Sequence, residues 1–219
     1  MGDLIPQGTE PTATIAPQRA HAADIHGDHR WIWFITGPTA CGKTTIAKAL
    51  AHNLGFAFVE GDDYHPQLNL DKMSQGRPLT DADRHAWLLA LRDHETAQPQ
   101  ASQQSRHLVI TCSALKRQYR DVLRRGAQDA GNLRIRFVFL DVDEPVLRER
   151  AAQRKGHFAG KELVASQMEA LERPGEEDEG DVIVVRVDAD RPVDETERAV
   201  EVRVREEMGS DDGSFLRVL

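Results

Sequence analysis

The chain has 219 residues, 40% of them hydrophobic and 29% charged, with a formal net charge of −8. That length suits one domain with tails, burying about 70% of its unfolded surface, and the acidic balance argues against nucleic acid as a main partner. Two cysteines, Cys41 and Cys112, cannot build a disulfide framework, and no apolar run approaches the roughly 20 residues of a bilayer span, so a reducing, cytoplasmic setting away from membranes is expected.

Residues 1–29, rich in Ala, Thr, Pro, Gln and His, lack the apolar stretch of a secretory signal and read as a disordered tail. The apolar run Trp31 to Thr36 predicts the first strand, and Ile46, Ala47, Leu50, Ala51 and Leu54 give the following helix, from Lys43, an apolar face. Between them stands Gly37-Pro38-Thr39-Ala40-Cys41-Gly42-Lys43-Thr44, followed by Thr45. This is a complete G-x-x-x-x-G-K-[ST] loop in its strand-to-helix setting. Backbone N–H groups at a helix N-terminus favour anions, so residues 37–45 are expected to cradle a nucleoside triphosphate. Lys43 would add a point charge at the outer phosphates and Thr44 a hydroxyl for Mg²⁺.

A second short strand, Phe56 to Val59, runs into Glu60-Gly61-Asp62-Asp63. Ligands of open α/β sheets bind at strand C-termini. Two residues apart on an extended segment, Glu60 and Asp62 are expected to point the same way, into one cleft. Phosphoryl transfer to a hydroxyl needs a metal-holding group and a carboxylate near the acceptor proton, and these acids suit both tasks. The stretch from Pro66 to Arg77 looks irregular or briefly helical. Thr80, with Asp83 three residues on, is expected to cap a helix carrying Trp87, Leu88 and Leu91.

After a polar loop, Thr96 to Ser105, His107 to Thr111 predicts a third strand and Lys116 to Arg125 a helix. That strand ends in Cys112-Ser113 with no acid, which speaks against motor or switch ATPases. Ile135 to Leu140 is a fourth strand, after which Asp143 caps a helix with Pro145 in its first turn. The basic, glycine-flanked segment following it, about 154–165, suits a lid over phosphates. An arginine of the wider basic stretch, Arg148 to Lys161, would stabilise charge on the transferred group, with Arg150 and Arg154 equal candidates. Another helix is expected to reach Leu171, a fifth strand spans Asp181 to Val187, and Pro192 opens a last helix before a frayed tail, 209–219. Parallel strands joined by helices bury both faces, so a three-layer α/β/α sandwich follows. Arg84, Lys116 and Arg120 are cations near element ends that could pair with a substrate carboxylate, and His65 could hydrogen-bond hydroxyls.

Several strings beyond the loop resemble the gluconokinase family of small P-loop sugar-acid kinases. They are Gly61-Asp62-Asp63-Tyr64-His65-Pro66, Asn69 with Lys72-Met73, Asp83-Arg84 with Trp87, Cys112-Ser113-Ala114-Leu115-Lys116 with Tyr119-Arg120, Arg154-Lys155-Gly156-His157-Phe158, and Ser166-Gln167-Met168-Glu169. The resemblance covers about residues 31–190. It implies a P-loop kinase domain over 30–208, a five-stranded parallel sheet in the order 2-3-1-4-5, and a homodimer. It also implies transfer from ATP, with Mg²⁺, to the 6-hydroxyl of D-gluconate, giving 6-phospho-D-gluconate and ADP for the pentose phosphate route. Asp62 matches the position that orients or deprotonates the acceptor hydroxyl, and Glu60 the metal-side carboxylate. The rival readings are a shikimate- or nucleoside monophosphate-type kinase and a catalytically silent ATP-binding regulator.

Overall fold

The computed structural model describes residues 29–75, 77, 79–97, 106–127, 131–153 and 160–211. Strand β1, Arg30–Thr36, is central, and its alternate side chains divide the core in two. Trp31, Trp33 and Ile35 face one layer, and Ile32 and Phe34 face the other. Every one of these side chains is at most 1% exposed, as expected of a parallel strand covered on both sides.

Helix α1, Lys43–Leu54, returns the chain to β2, Ala57–Val59. After a 3₁₀ turn, Gly61–Tyr64, come α2, Gln67–Ser74, and α3, Asp81–Ala97. Strand β3, Leu108–Thr111, is followed by α4, Arg117–Arg124, and β4, Leu133–Asp141, by α5, Glu144–Gln153, and α6, Gly160–Ala170. Strand β5, Val182–Arg186, and α7, Val193–Asp211, end the described fold. The five strands are parallel in the order β2-β3-β1-β4-β5. Helices α1, α5, α6 and α7 contribute Ile46, Leu147, Val164 and Val200 to one face, while α3 and α4 bring Trp87, Leu91, Val122 and Leu123 to the other. The expected three-layer sandwich and strand order are therefore present.

One local expectation changes, since α7 continues to Asp211, past the expected start of the tail. Of the two readings left open after Pro66, irregular or briefly helical, the helical one holds, as α2. Val200, Val204 and Met208 are all buried, and this spacing of four is that of one helix face, as expected of the last helix. The start of α3 is a reciprocal cap: Asp83 N–H donates to Thr80 Oγ1 at 3.3 Å, and Thr80 N–H donates to Asp83 Oδ2 at 2.9 Å. Among the described residues, no helix is long and apolar enough to cross a membrane.

Candidate active site

The loop between β1 and α1 takes the backbone shape that its glycines permit. Gly37 has φ 135°, Gly42 φ 103° and Ala40 φ 64°. A Cβ on Gly37 would stand 2.9 Å from Cys41 Sγ and 3.0 Å from the Leu140 carbonyl oxygen, so only glycine fits there. Pro38, Ala40 and Cys41 are buried and Thr39 half-buried, which leaves the loop's main chain as its functional surface, while Thr44 and Thr45 are exposed in the first turn of α1. Lys43 Nζ folds over this main chain, donating to the Gly37 and Pro38 carbonyl oxygens at 3.0 and 2.8 Å. From α6, Gln167 Oε1 accepts the Thr39 N–H at 2.6 Å, tying the helix beyond the basic segment to the loop.

Thr44 Oγ1 donates to Glu60 Oε2 at 2.9 Å, so the α1 N-terminus meets the tip of β2. The other Glu60 oxygen accepts a short hydrogen bond from Thr111 Oγ1, at the end of β3. Thr111 thus occupies the strand end where the sequence offers no acid, and it links that strand to the carboxylate beside it. A hydroxyl and a carboxylate are hard oxygen donors of the type that Mg²⁺ takes along with water and phosphate oxygens.

The expectation that Glu60 and Asp62 project together along extended backbone is not met. The chain turns into the 3₁₀ segment directly after Glu60, because Gly61 is pressed against β3. Its N–H donates to Thr111 Oγ1 at 3.0 Å, and a Cβ there would lie 1.9 Å from the Thr111 carbonyl oxygen. Glu60 faces the loop, whereas Asp62 lies in the turn with its side chain 73% exposed. Asp62 keeps company with His65, whose Nε2 lies 3.9 Å from Oδ1.

His65 is stacked on Trp87, with centroids 4.2 Å apart, and Trp87 Nε1 donates to the Gly61 carbonyl oxygen at 2.8 Å. Burial holds the imidazole below its ordinary pKa, opposed by Asp62 and assisted by Arg84. Arg84, half-buried on α3, donates to the Leu79 carbonyl oxygen at 2.5 Å and acts electrostatically on both His65 and Tyr119. Lys116 stands just before α4, where Nζ contacts both Asp81 oxygens at 3.0 and 2.9 Å. Hydrogen bonds from Tyr119 first, and then from Lys116, hold the Asp81 carboxyl down at about 2. His65 and Arg84 therefore stand with Asp62, and Arg84 acts in turn on Tyr119, beside which Lys116 and Asp81 are paired.

Arg120 does not belong to that region. It is 1% exposed, and its fork is taken by Glu179, at 2.9 Å to Oε2 and 2.5 Å to Oε1. Its remaining protons go to the carbonyl oxygens of Ala114 and Glu172. The guanidinium braces the loop before α4 against the segment before β5, so it has no donors to spare for a substrate carboxylate. Asp141, at the end of β4, and Asp143, two residues past it, are likewise engaged by Arg173 and Arg186. Arg150 is half-buried on α5, and Arg154, with the first half of the expected lid, 154–159, lies outside the described residues, while the second half belongs to α6. Sequence reasoning gave no role to Thr111, Asn69 or Gln167. Only the family strings marked Asn69 and Gln167, and Thr111 carries no charge to draw notice.

Residues 32–174 match the AAA domain family. The thermoresistant gluconokinase of Escherichia coli is 42% identical over 161 residues, covering 74% of this chain and 86% of that protein. The gluconokinase of Gluconobacter oxydans is 42% identical over 160 residues, with 73% and 83% covered. The chain belongs to the gluconokinase family. A gluconokinase structure from Sinorhizobium meliloti 1021 superposes with a TM-score of 0.66 at 36% identity, covering 84% of this chain and 97% of that one. Gluconokinases transfer a phosphoryl group from ATP to an alcohol, and the phosphate-binding loop of this chain suits the ATP side of that reaction.

Proposed function

We propose that this chain transfers the γ-phosphoryl group of ATP to the 6-hydroxyl of D-gluconate, giving 6-phospho-D-gluconate and ADP. The observation that carries this reading is the Thr44–Glu60 hydrogen bond, which puts a phosphate-binding helix start against an acidic strand tip, in a chain of the gluconokinase family. Residues 37–45 cradle the triphosphate through main-chain amides, and Lys43 leaves its loop carbonyls to meet the outer phosphates. Thr44 and Glu60 would hold Mg²⁺, which supplies charge neutralisation on the phosphates when bound. Asp62 takes the proton of the acceptor hydroxyl as its oxygen bonds to the γ-phosphorus and the bond to the bridging oxygen breaks, releasing ADP. His65, Arg84 and Lys116 hold the sugar acid, and Arg150 or Arg154 stabilises the transferring group. The active species is a cytoplasmic homodimer that needs neither nucleic acid nor a membrane.

A coupled assay for ADP release with ATP, Mg²⁺ and a panel of gluconate, shikimate and AMP tests the assignment. Gluconate should give the highest kcat/KM. A preference for AMP or shikimate overturns it, and absence of turnover with every acceptor favours the silent ATP-binding regulator.

A further inference from the structure

Behind Asp62 lies a pair of buried polar side chains whose protons can be placed by elimination. Asn69, on α2, is 3% exposed, and its Nδ2 donates to the Asp83 carbonyl oxygen at 2.9 Å. A carbonyl oxygen can only accept, so this contact fixes which end of the amide is nitrogen. The same Nδ2 lies 3.3 Å from His65 Nδ1. An amide nitrogen offers two donors and no acceptor, so Nδ1 must present its lone pair, and the ring proton sits on Nε2. The Trp87 stack fixes the ring plane. Nε2 then faces Asp62 Oδ1 across 3.9 Å, too long for a direct hydrogen bond.

We propose that Asn69 is a positioning residue that holds His65 as its neutral Nε2–H tautomer, presenting a donor beside the Asp62 carboxylate to the oxygen of a substrate hydroxyl. The inference rests on the reading of Asp62 as the acceptor-side base. One hydroxyl fits both groups: its proton goes to Asp62 and a lone pair accepts from Nε2–H. The opposite tautomer would turn a lone pair toward both the hydroxyl oxygen and the carboxylate. Asp62 and Arg84 are the charged groups acting on the ring, with opposite effects, and burial keeps it neutral. The Asp83 carboxylate is directed elsewhere, to Lys72 and Thr80.

The test is long-range nitrogen–proton NMR of the full chain with ¹⁵N-labelled histidine, in which His65→Gln identifies the His65 signals among nine histidines. The expected spectrum shows a protonated Nε2 and a bare Nδ1, and a protonated Nδ1 overturns the proposal. Asn69→Asp replaces the donor with a carboxylate that draws a proton to Nδ1, giving a ring protonated on both nitrogens at neutral pH. The charged ring keeps its Nε2–H but pairs it with the Asp62 carboxylate and weakens that base, so kcat with gluconate should fall about tenfold or more, with KM for ATP changed less than about twofold. A folded Asn69→Asp protein with the wild-type ring signature or undiminished kcat overturns it too, and if that variant does not fold, the wild-type spectrum decides alone. The spectrum needs no substrate, so preference for another acceptor would remove the proposed function and leave the tautomer standing.

Discussion

Lys43 and Arg120 each sit in the first turn of a helix that follows an interior strand, yet their charges are handled in opposite ways. Lys43 rests on two carbonyl oxygens of its own loop, groups that carry no net charge. Arg120 is enclosed by the Glu179 carboxylate and two further carbonyl oxygens, at 1% exposure. A cation held by dipoles keeps its charge for an arriving anion, while a buried cation matched to a carboxylate is committed to the fold. The Glu179 carboxyl, desolvated but doubly held by Arg120 and Arg124, is drawn down to about 2.

The first way to break this contrast is Glu179→Gln, which leaves Arg120 buried without its counter-charge. We expect a loss of about 3–5 kcal/mol in urea denaturation. A loss below about 1 kcal/mol would mean that Arg120 behaves as a surface cation. Lys43→Ala is the complement: kcat should drop about 10²–10³-fold, through lost stabilisation of charge on the transferred group, with the urea midpoint unchanged. A Lys43→Ala protein that unfolds as easily as Glu179→Gln would erase the distinction.

The same contrast explains what the sequence made legible. The loop at 37–44 is a contiguous pattern in a strand-to-helix context, and its backbone shape and the Lys43 contacts to Gly37 and Pro38 are local. Arg120 was misread because its partner is 59 positions away in the chain, a separation at which sequence spacing carries no signal. Glu60 and Asp62 were misread for a subtler reason, since strand alternation ends where Gly61 packs against β3, a contact with no local signature. Helix α2 stayed undecided between irregular and briefly helical because Leu68, Leu70 and Met73 are exposed, at 74%, 40% and 45%, so no apolar face marks its period. The residue it does bury is Asn69, and a buried asparagine is not something hydrophobic patterning can reveal. Strand order, too, came from the family resemblance and not from periodicity.

Acid sharpens the comparison by separating two buried charges in pH. His107 is 9% exposed, and its Nδ1 accepts the Trp31 N–H at 3.1 Å. Burial, then Arg106 and Arg30, lowers its pKa to about 4. The unfolded chain takes up this proton near pH 6.5 and the folded chain only near 4, so stability is retained above about 6.5 and lost as pH falls toward 4. The loss should be at most roughly 3 kcal/mol. His65 adds to it with the same sign. Glu179 acts in a lower window, its contribution intact above about 4.5 and lost as pH falls toward 2. Urea midpoints measured against pH should therefore decline in two stages. His107→Gln, which keeps an acceptor for the Trp31 N–H, should flatten the upper stage alone, and a profile identical to wild type would show that His107 is not the group responsible.

The smallest effect tests the border of the site rather than either charge. Asp83 serves two partners, closing the cap with Thr80 and binding Lys72 Nζ at 2.6 Å. Those hydrogen bonds, that to Lys72 foremost, hold its carboxyl well below the usual carboxylate range. Thr80→Ala removes both hydrogen bonds of the cap hydroxyl, that from the Asp83 N–H and that to the Asp83 carboxylate, but leaves the Thr80 N–H and Lys72 contacts, so Asp83 stays anchored. We expect Tm to fall by about 2–4 °C. Arg84, one residue past Asp83, grips the Leu79 carbonyl oxygen independently of the hydroxyl, so kcat and KM for gluconate should be those of the wild type. A rise in KM for gluconate at unchanged ATP affinity would instead mean that the cap, and not the Leu79 contact, sets the direction of Arg84 toward the substrate.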